Sequence, residues 1–276
     1  MNYPEDKTGI RLVAIDLDGT LLDGNGKLPP RGSTLIKAAY GKGIHIIIAT
    51  TRNYDDVQRI CGTLKINDPI ICSNGAYIYE NPTGSVWREL RIPIHIAERI
   101  CQLADENDWE LSTSVGETTY FKQRPGQALG LLTENIEVVK RNKDAIVAKP
   151  HRILCWQPEA MEGIQRLCLD EFPGECRTEV YYKPTGEPHS LGVFAWNADK
   201  GSALEVVLSK MGISQYGVMA IGDNTNDLPM FEFAKYRVAM SNGTEEIKRN
   251  ASIIAPSNRE EGVAWVFENY VRQSTQ

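Results

Sequence analysis

Residues 11–22 read Arg11-Leu-Val-Ala-Ile-Asp-Leu-Asp-Gly-Thr-Leu-Leu22, and the fold is decided in this stretch. Arg11 to Leu17 is a short apolar run that closes on Asp16 and Asp18 and is then broken by Gly19, the pattern of a buried strand running into a turn. Asp23-Gly-Asn-Gly26 and Pro29-Pro30 follow with loop chemistry. Ser33 is a good N-cap for an amphipathic segment through Tyr40, Gly43 marks its stop, and Ile44 to Ala49 is again continuously apolar. A second helical stretch from Tyr54 to Leu64 leads into Pro69-Ile-Ile-Cys72. Alternating helices and uninterrupted apolar strands predict a parallel sheet covered on both faces, hence a doubly wound, Rossmann-like α/β core.

The pattern changes after Ala76. Tyr77-Ile-Tyr79 and Val86-Trp87 flank Asn81-Pro-Thr-Gly84, a hairpin signal, and the segments beyond it are shorter and punctuated by Pro125-Gly126, Pro173-Gly174 and Pro184-Thr-Gly186. Helices are expected at Ile94 to Glu106 and Pro158 to Glu171, with strands at Glu110 to Val115, Thr118 to Phe121, His151 to Trp156 and Cys176 to Tyr182. The doubly wound style returns with a helix from Ser202 to Met211 and a strand from Gly217 to Ile221. The expected organisation is a core made of residues 1–88 and 193–276, interrupted by an inserted α+β domain over residues 89–192.

Composition narrows the function. With 276 residues, 42% of them hydrophobic and 24% charged, the chain has the makings of an ordinary globular core, and the net charge of -6 argues against a nucleic-acid or anionic-membrane binder. The first ten residues carry charges where a signal peptide needs apolar ones, and no apolar run is long enough to span a bilayer, so a cytoplasmic protein is expected. The six cysteines form no CxxC pair and no metal-ligand spacing with the four histidines, which reads as reduced, mostly buried thiols.

Ligands of open α/β sheets bind at the carboxyl ends of the strands, and four polar clusters fall there: Asp16-Leu-Asp18-Gly-Thr20, Thr50-Thr-Arg52, Lys200, and Gly222-Asp-Asn-Thr-Asn-Asp227. Residues two apart on a strand project to one side, so Asp16 and Asp18 are expected to present two carboxylates to one pocket, sharing a cation or raising one another's pKa. One can attack as a nucleophile while the other exchanges protons with leaving group and water. Neither acidic cluster fits a calcium-binding EF-hand loop. Lys200 precedes a helix, where a cation is unfavourable for the macrodipole and an anionic partner would explain it.

Together, Asp16-Leu-Asp-Gly-Thr-Leu-Leu22, Ala49-Thr-Thr-Arg52, Ser73-Asn-Gly-Ala76, Lys200-Gly201, Gly222-Asp-Asn-Thr-Asn-Asp227 with Met230, and Val238-Ala-Met-Ser-Asn242 resemble the ordered motifs of the haloacid dehalogenase superfamily. The position of the insertion is similar to that of the Cof-type phosphatases with a C2B cap. The resemblance implies Asp16 as nucleophile and Asp18 as general acid/base. It implies Mg2+ held by Asp16, the backbone carbonyl of Asp18 and Asp223, with Asp227 supporting, and a phosphoryl group held by Leu17, Thr50, Thr51, Lys200 and Asn226. Thr51 stands where the family's second motif has glycine, which leaves the backbone path beside the phosphate open.

The expected reaction is hydrolysis of small phosphate monoesters, sugar phosphates first, through an aspartyl-phosphate, with a small phosphorylated metabolite as the partner and the oligomeric state unread. Phosphoryl transfer to an acceptor, as in a mutase, and non-enzymatic binding of a phosphometabolite stand as alternatives. Trp109, Tyr120, Lys122, Arg124, Trp156, Tyr181, Tyr182, Lys183 and His189 are the polar and aromatic cap residues from which specificity would come.

Overall fold

The computed structural model describes residues 9–122, 135–183 and 185–271. The chain divides into two compact units, Met1–Arg88 with Asp199–Gln276, and Glu89–Ala198. It opens with β1 (Leu12–Ile15), α1 (Pro30–Tyr40), β2 (His45–Ala49), α2 (Tyr54–Leu64), β3 (Ile70–Cys72), β4 (Tyr77–Tyr79) and β5 (Val86–Glu89). Next come α3 (Ile94–Glu106), β6 (Ser112–Val115), β7 (Thr118–Lys122), β8 (Ile136–Val139), β9 (Arg152–Cys155), α4 (Pro158–Glu171), β10 (Cys176–Tyr182) and β11 (Pro188–Ala195). The return to the first unit supplies α5 (Lys200–Met211), β12 (Val218–Gly222), α6 (Leu228–Glu232), β13 (Tyr236–Met240), α7 (Glu245–Asn250), β14 (Ile253–Ala255) and α8 (Gly262–Val266).

The first unit's sheet has the order β14-β13-β12-β1-β2-β3-β4-β5, parallel from β14 to β3 and antiparallel between β3 and β4. This is the doubly wound α/β fold. Every residue of β1 is buried, as an uninterrupted apolar run between two parallel neighbours requires. Ile15 is level with Ile221 of β12 and with Ile48 of β2, so the three strands end at one edge. The connection from β1 leads to β2 on one side while β12 lies on the other, which makes the end of β1 the topological switch point where such sheets bind ligands. Helix α5 packs Ala203, Leu204 and Val207 onto Leu12, Ala14, Ile47 and Ala220. Fully burying a side chain such as Leu204 contributes roughly 1.5–3 kcal/mol, which fixes the height of this helix against the sheet.

Two helix starts lie upstream of their expected positions. Helix α1 begins at Pro30, whose missing N–H costs nothing at the first helical position, and Ser33 donates its hydroxyl to the Pro29 carbonyl at 2.9 Å from inside the helix. Helix α5 begins at Lys200 itself: the cap is Asp199, whose carboxylate accepts from the Ser202 N–H at 2.8 Å.

The second unit is a mixed sheet of order β10-β11-β9-β6-β7-β8, with α3 and α4 burying Ile96, Ile100, Ile164 and Leu167 against Ile153 and Val193. Strands β8 and β11 had no strand expectation. β11 begins with proline, contains Gly192 and is buried without alternation from Ser190 to Ala195, because it lies between β10 and β9. It runs across the return point expected after residue 192. Gly192 is required there, since a Cβ would overlap the Phe194 ring. All six cysteines are buried free thiols.

Candidate active site

The end of β1 turns at once. Asp16 keeps extended backbone angles, and residues Leu17–Leu21 close a wide turn in which the Leu21 N–H reaches the Asp16 carbonyl and the Leu22 N–H the Leu17 carbonyl. Gly19 adopts φ 84°, and a Cβ there would overlap the Asp223 carboxylate, so glycine lets the turn lie directly against the loop after β12. Asn242 braces it, donating to the Gly19 carbonyl at 2.9 Å, and Asn258 donates to the Leu22 carbonyl at 2.8 Å.

Asp16 is buried, and its Oδ1 accepts from Lys200 Nζ at 2.6 Å. The same ammonium donates to Asp227 Oδ1 at 2.6 Å, and Lys200 is only 1% exposed. The other Asp227 oxygen accepts the backbone N–H groups of Asp223 and Asn224 at 3.0 and 3.1 Å, which holds that loop's shape. Asp223 accepts from the Thr20 hydroxyl at 2.8 Å. Asp16, Asp223 and Asp227 each bring a carboxylate oxygen within 4.8 Å of the others.

Three clustered carboxylates, two buried and one half-buried, against one ammonium leave the cluster short of positive charge. Burial therefore holds the Asp16 carboxyl well above its ordinary value, with Lys200 pulling it back and Asp227 and Asp223 pushing it up again. Burial and then Asp227 push Asp223 up to about 7. Burial opposes the Lys200 ammonium, but Asp16 and Asp227 outweigh it and keep Lys200 above its usual range. An all-oxygen donor set with an unmet demand for positive charge fits a hard divalent cation and offers nothing to a soft one.

The strand alternation expected to bring Asp16 and Asp18 to one side is corrected. Because β1 ends at Ile15, Asp18 lies in the turn and not on the strand, and its carboxylate is half exposed. Arg52 holds it in a two-pronged pair, Nε to Oδ2 at 2.8 Å and Nη2 to Oδ1 at 2.6 Å, while Asp16 turns to Lys200.

Thr50 follows β2 and is fully buried, its Oγ1 accepting from the Arg52 N–H at 3.2 Å. Thr51 is partly exposed. The Leu17 side chain is fully buried in the core, which leaves its backbone as the part available to a ligand. Asn226 is buried and donates its Nδ2 to Asn74 Oδ1 at 3.1 Å.

In the second unit, Lys122 is engaged by Asp108 at 2.9 Å, and Trp109 packs over Gly163, so both are structural there. Trp156 meets Phe121 edge-on, Tyr120, Tyr181 and Tyr182 are partly buried, and Lys183 and His189 are exposed. Arg124 lies outside the described residues. Thr20, Arg52, Asn74, Asn242 and Asn258 carried no expected role. The first four stand inside the quoted motifs, so their position was the available signal.

The family of haloacid dehalogenase-like hydrolases matches residues 13–267, and the chain belongs to it, on the phosphatase branch that the Cof-type resemblance indicated. Relatives include the 5-amino-6-(5-phospho-D-ribitylamino)uracil phosphatase YcsE of Bacillus subtilis, 27% identical over 98% of this chain and all of that one. The pyridoxal phosphate phosphatase YbhA of Escherichia coli is 24% identical over 92% of this chain and 96% of its own length. A haloacid dehalogenase-like hydrolase from Bacteroides thetaiotaomicron shares the fold with a TM-score of 0.80 at 23% identity, over 94% of this chain and 98% of that one. Among the described residues no helix is long and apolar enough to cross a membrane.

Proposed function

We propose that this chain is a Mg2+-dependent phosphatase that hydrolyses small phosphate monoesters through a phosphoryl group carried on Asp16. The observation that carries the reading is the meeting of Asp16, Lys200 and Asp227, residues far apart in sequence, through two 2.6 Å contacts to one buried ammonium. A phosphate dianion repels a carboxylate nucleophile, and fixed positive charge beside the nucleophile removes that barrier.

Asp16 attacks phosphorus while Asp18 protonates the departing alcohol, and Asp18 then takes a proton from the water that cleaves the aspartyl-phosphate. For the first of these steps Asp18 must exchange its pairing with Arg52 for the ester oxygen. Thr50, Lys200, Asn226 and the backbone at Leu17 and Thr51 hold phosphoryl oxygens. Asp16, Asp223 and the Asp18 carbonyl would hold Mg2+, with Asp227 shaping the loop, and a cation held there would supply positive charge against that developing on the phosphoryl group.

The substrate class we favour is an ester on a primary alcohol, sugar phosphates first. The phosphoribityl compound and pyridoxal phosphate named for the two relatives are both phosphorylated at such a carbon. Phosphate release over a panel of sugar, ribityl and pyridoxal phosphates, with Mg2+ and with chelator, tests the reading. Release from at least one class, lost with chelator, is expected; none from any ester would refute it.

A further inference from the structure

Residues 73–75, Ser-Asn-Gly, follow β3 and do something unusual three times running. Their φ angles are 49°, 54° and 88°, the left-handed region that only glycine enters freely and asparagine tolerates. The run is pinned on each side. The Ser73 N–H donates to the Arg52 carbonyl and the Asn74 N–H to the Thr50 carbonyl, each at 3.0 Å. A Cβ on Gly75 would collide with the Asp199 carbonyl, so the loop is wedged between the Thr50 segment and the start of α5, one residue from Lys200.

The side chain at the middle of this wedge is fully buried. Asn74 Oδ1 accepts from Asn226 Nδ2 at 3.1 Å, but Asn74 Nδ2 has no hydrogen-bond partner among the described residues. A buried amide donor without an acceptor is costly, and folds retain such a group where a ligand supplies the missing partner. The two residues hydrogen-bonded to Asn74 belong to the set that would surround a phosphoryl group: Thr50 through its carbonyl and Asn226 through its amide. An acceptor-rich, donor-poor ligand part is what an N–H2 group requires, and a phosphoryl oxygen has that chemistry.

We propose that Asn74 is a phosphate-binding residue, its Nδ2 donating to a phosphoryl oxygen while its Oδ1 orients Asn226. The inference rests on the phosphatase reading above and adds to it a donor from the loop after β3. Asparagine meets both requirements at this position, since its side chain supplies a donor and an acceptor and its backbone accepts the left-handed conformation.

The test is binding of inorganic phosphate in the presence of Mg2+ by calorimetry, alongside thermal melting, for the full chain and for Asn74→Gly. Glycine keeps the backbone angles and removes the amide. Phosphate affinity should fall about 10- to 100-fold, the range for losing a hydrogen bond to a charged group, without a matching fall in Tm. The loss should persist in an Asn226→Ala background, because the donor acts directly on phosphate. If Asn74→Gly does not fold, Asn74→Asp at pH 8 replaces it; this variant keeps the acceptor for Asn226, removes the amide donor, and should lose phosphate affinity to at least the same extent. Unchanged affinity in the folded variant, or a loss that disappears once Asn226 is removed, overturns the assignment. Wild-type binding of phosphate together with equal binding by the variant sinks this inference and leaves the phosphatase reading standing, whereas no phosphate binding by the wild type sinks both.

Discussion

Replacing Lys200 by methionine should do more than slow turnover. The side chain is 1% exposed and its ammonium lies 2.6 Å from two carboxylates, neither of which has bulk water to fall back on. Methionine fills much of the same space, so the loss is electrostatic. Removing one partner of a buried ion pair typically costs about 3–5 kcal/mol because the other charge is stranded. In a unit of this size each kcal/mol moves Tm by about 2–4 °C, so we expect a fall of roughly 6–20 °C at pH 8 in chelator.

The deficit should depend on pH, with a sign that follows from Asp16. Burial already holds its carboxyl high and Lys200 is the group that draws it down, so in the variant it rises further. A carboxyl raised in the folded state contributes stability fully present below its unfolded value of about 3.9 and lost as pH climbs through the folded value. The variant should therefore lie closest to wild type near pH 5 and fall away toward pH 8, and Mg2+ should recover part of the loss by standing in for the missing cation. Melting curves at pH 5, 7 and 8, with chelator and with Mg2+, read all three effects. A Tm within about 2 °C of wild type at pH 8, with no trend across pH, would refute the buried ion-pair argument.

Asp16→Asn should keep the fold, since Asp227 still pairs with Lys200, but lose at least about a thousandfold in kcat because an amide cannot form the acyl-phosphate; steady-state rates and a melting curve on the same preparation check both halves. Asp199→Ala removes the cap of α5, costing about 1 kcal/mol and therefore a Tm drop of about 2–4 °C, and it should also lower kcat/KM by letting the first turn that carries Lys200 fray. A fall in Tm with unchanged kcat/KM would show that the cap does not position the lysine.

What the sequence disclosed follows the physics of each signal. The run from Arg11 to Leu17 is apolar on both faces, and only a central parallel strand buries both faces, so the sheet and its switch point were legible from one segment. Lys200, Asp223 and Asp227 were legible as a group because each follows or opens an element at the same sheet edge. Their internal wiring was not: period-two alternation assumed that Asp16 and Asp18 share a strand, whereas β1 ends one residue before Asp16 and Asp18 lies in the turn, paired with Arg52. Strand β11 was hidden because a segment buried on both faces and broken by proline and glycine carries no alternation to read. Asn74 was quoted as part of a motif without a role, since nothing local distinguishes a left-handed turn residue from a buried donor. That distinction depends on Thr50 and Asn226, which reach it from other strands.

The centre of the sheet also sets an order of events for the growing chain. Strand β1 is flanked by β2, made soon after it, and by β12, which leaves the ribosome only after the whole intervening unit has been synthesised. Until then Leu12–Ile15 presents an unpaired, wholly apolar edge, the surface that invites pairing with other chains. Polypeptides halted before Val218 should therefore accumulate as chaperone clients or insoluble material and not as a free-standing half, and Asp16 acquires its buried counter-charge only after the second unit has been made and Lys200 follows it.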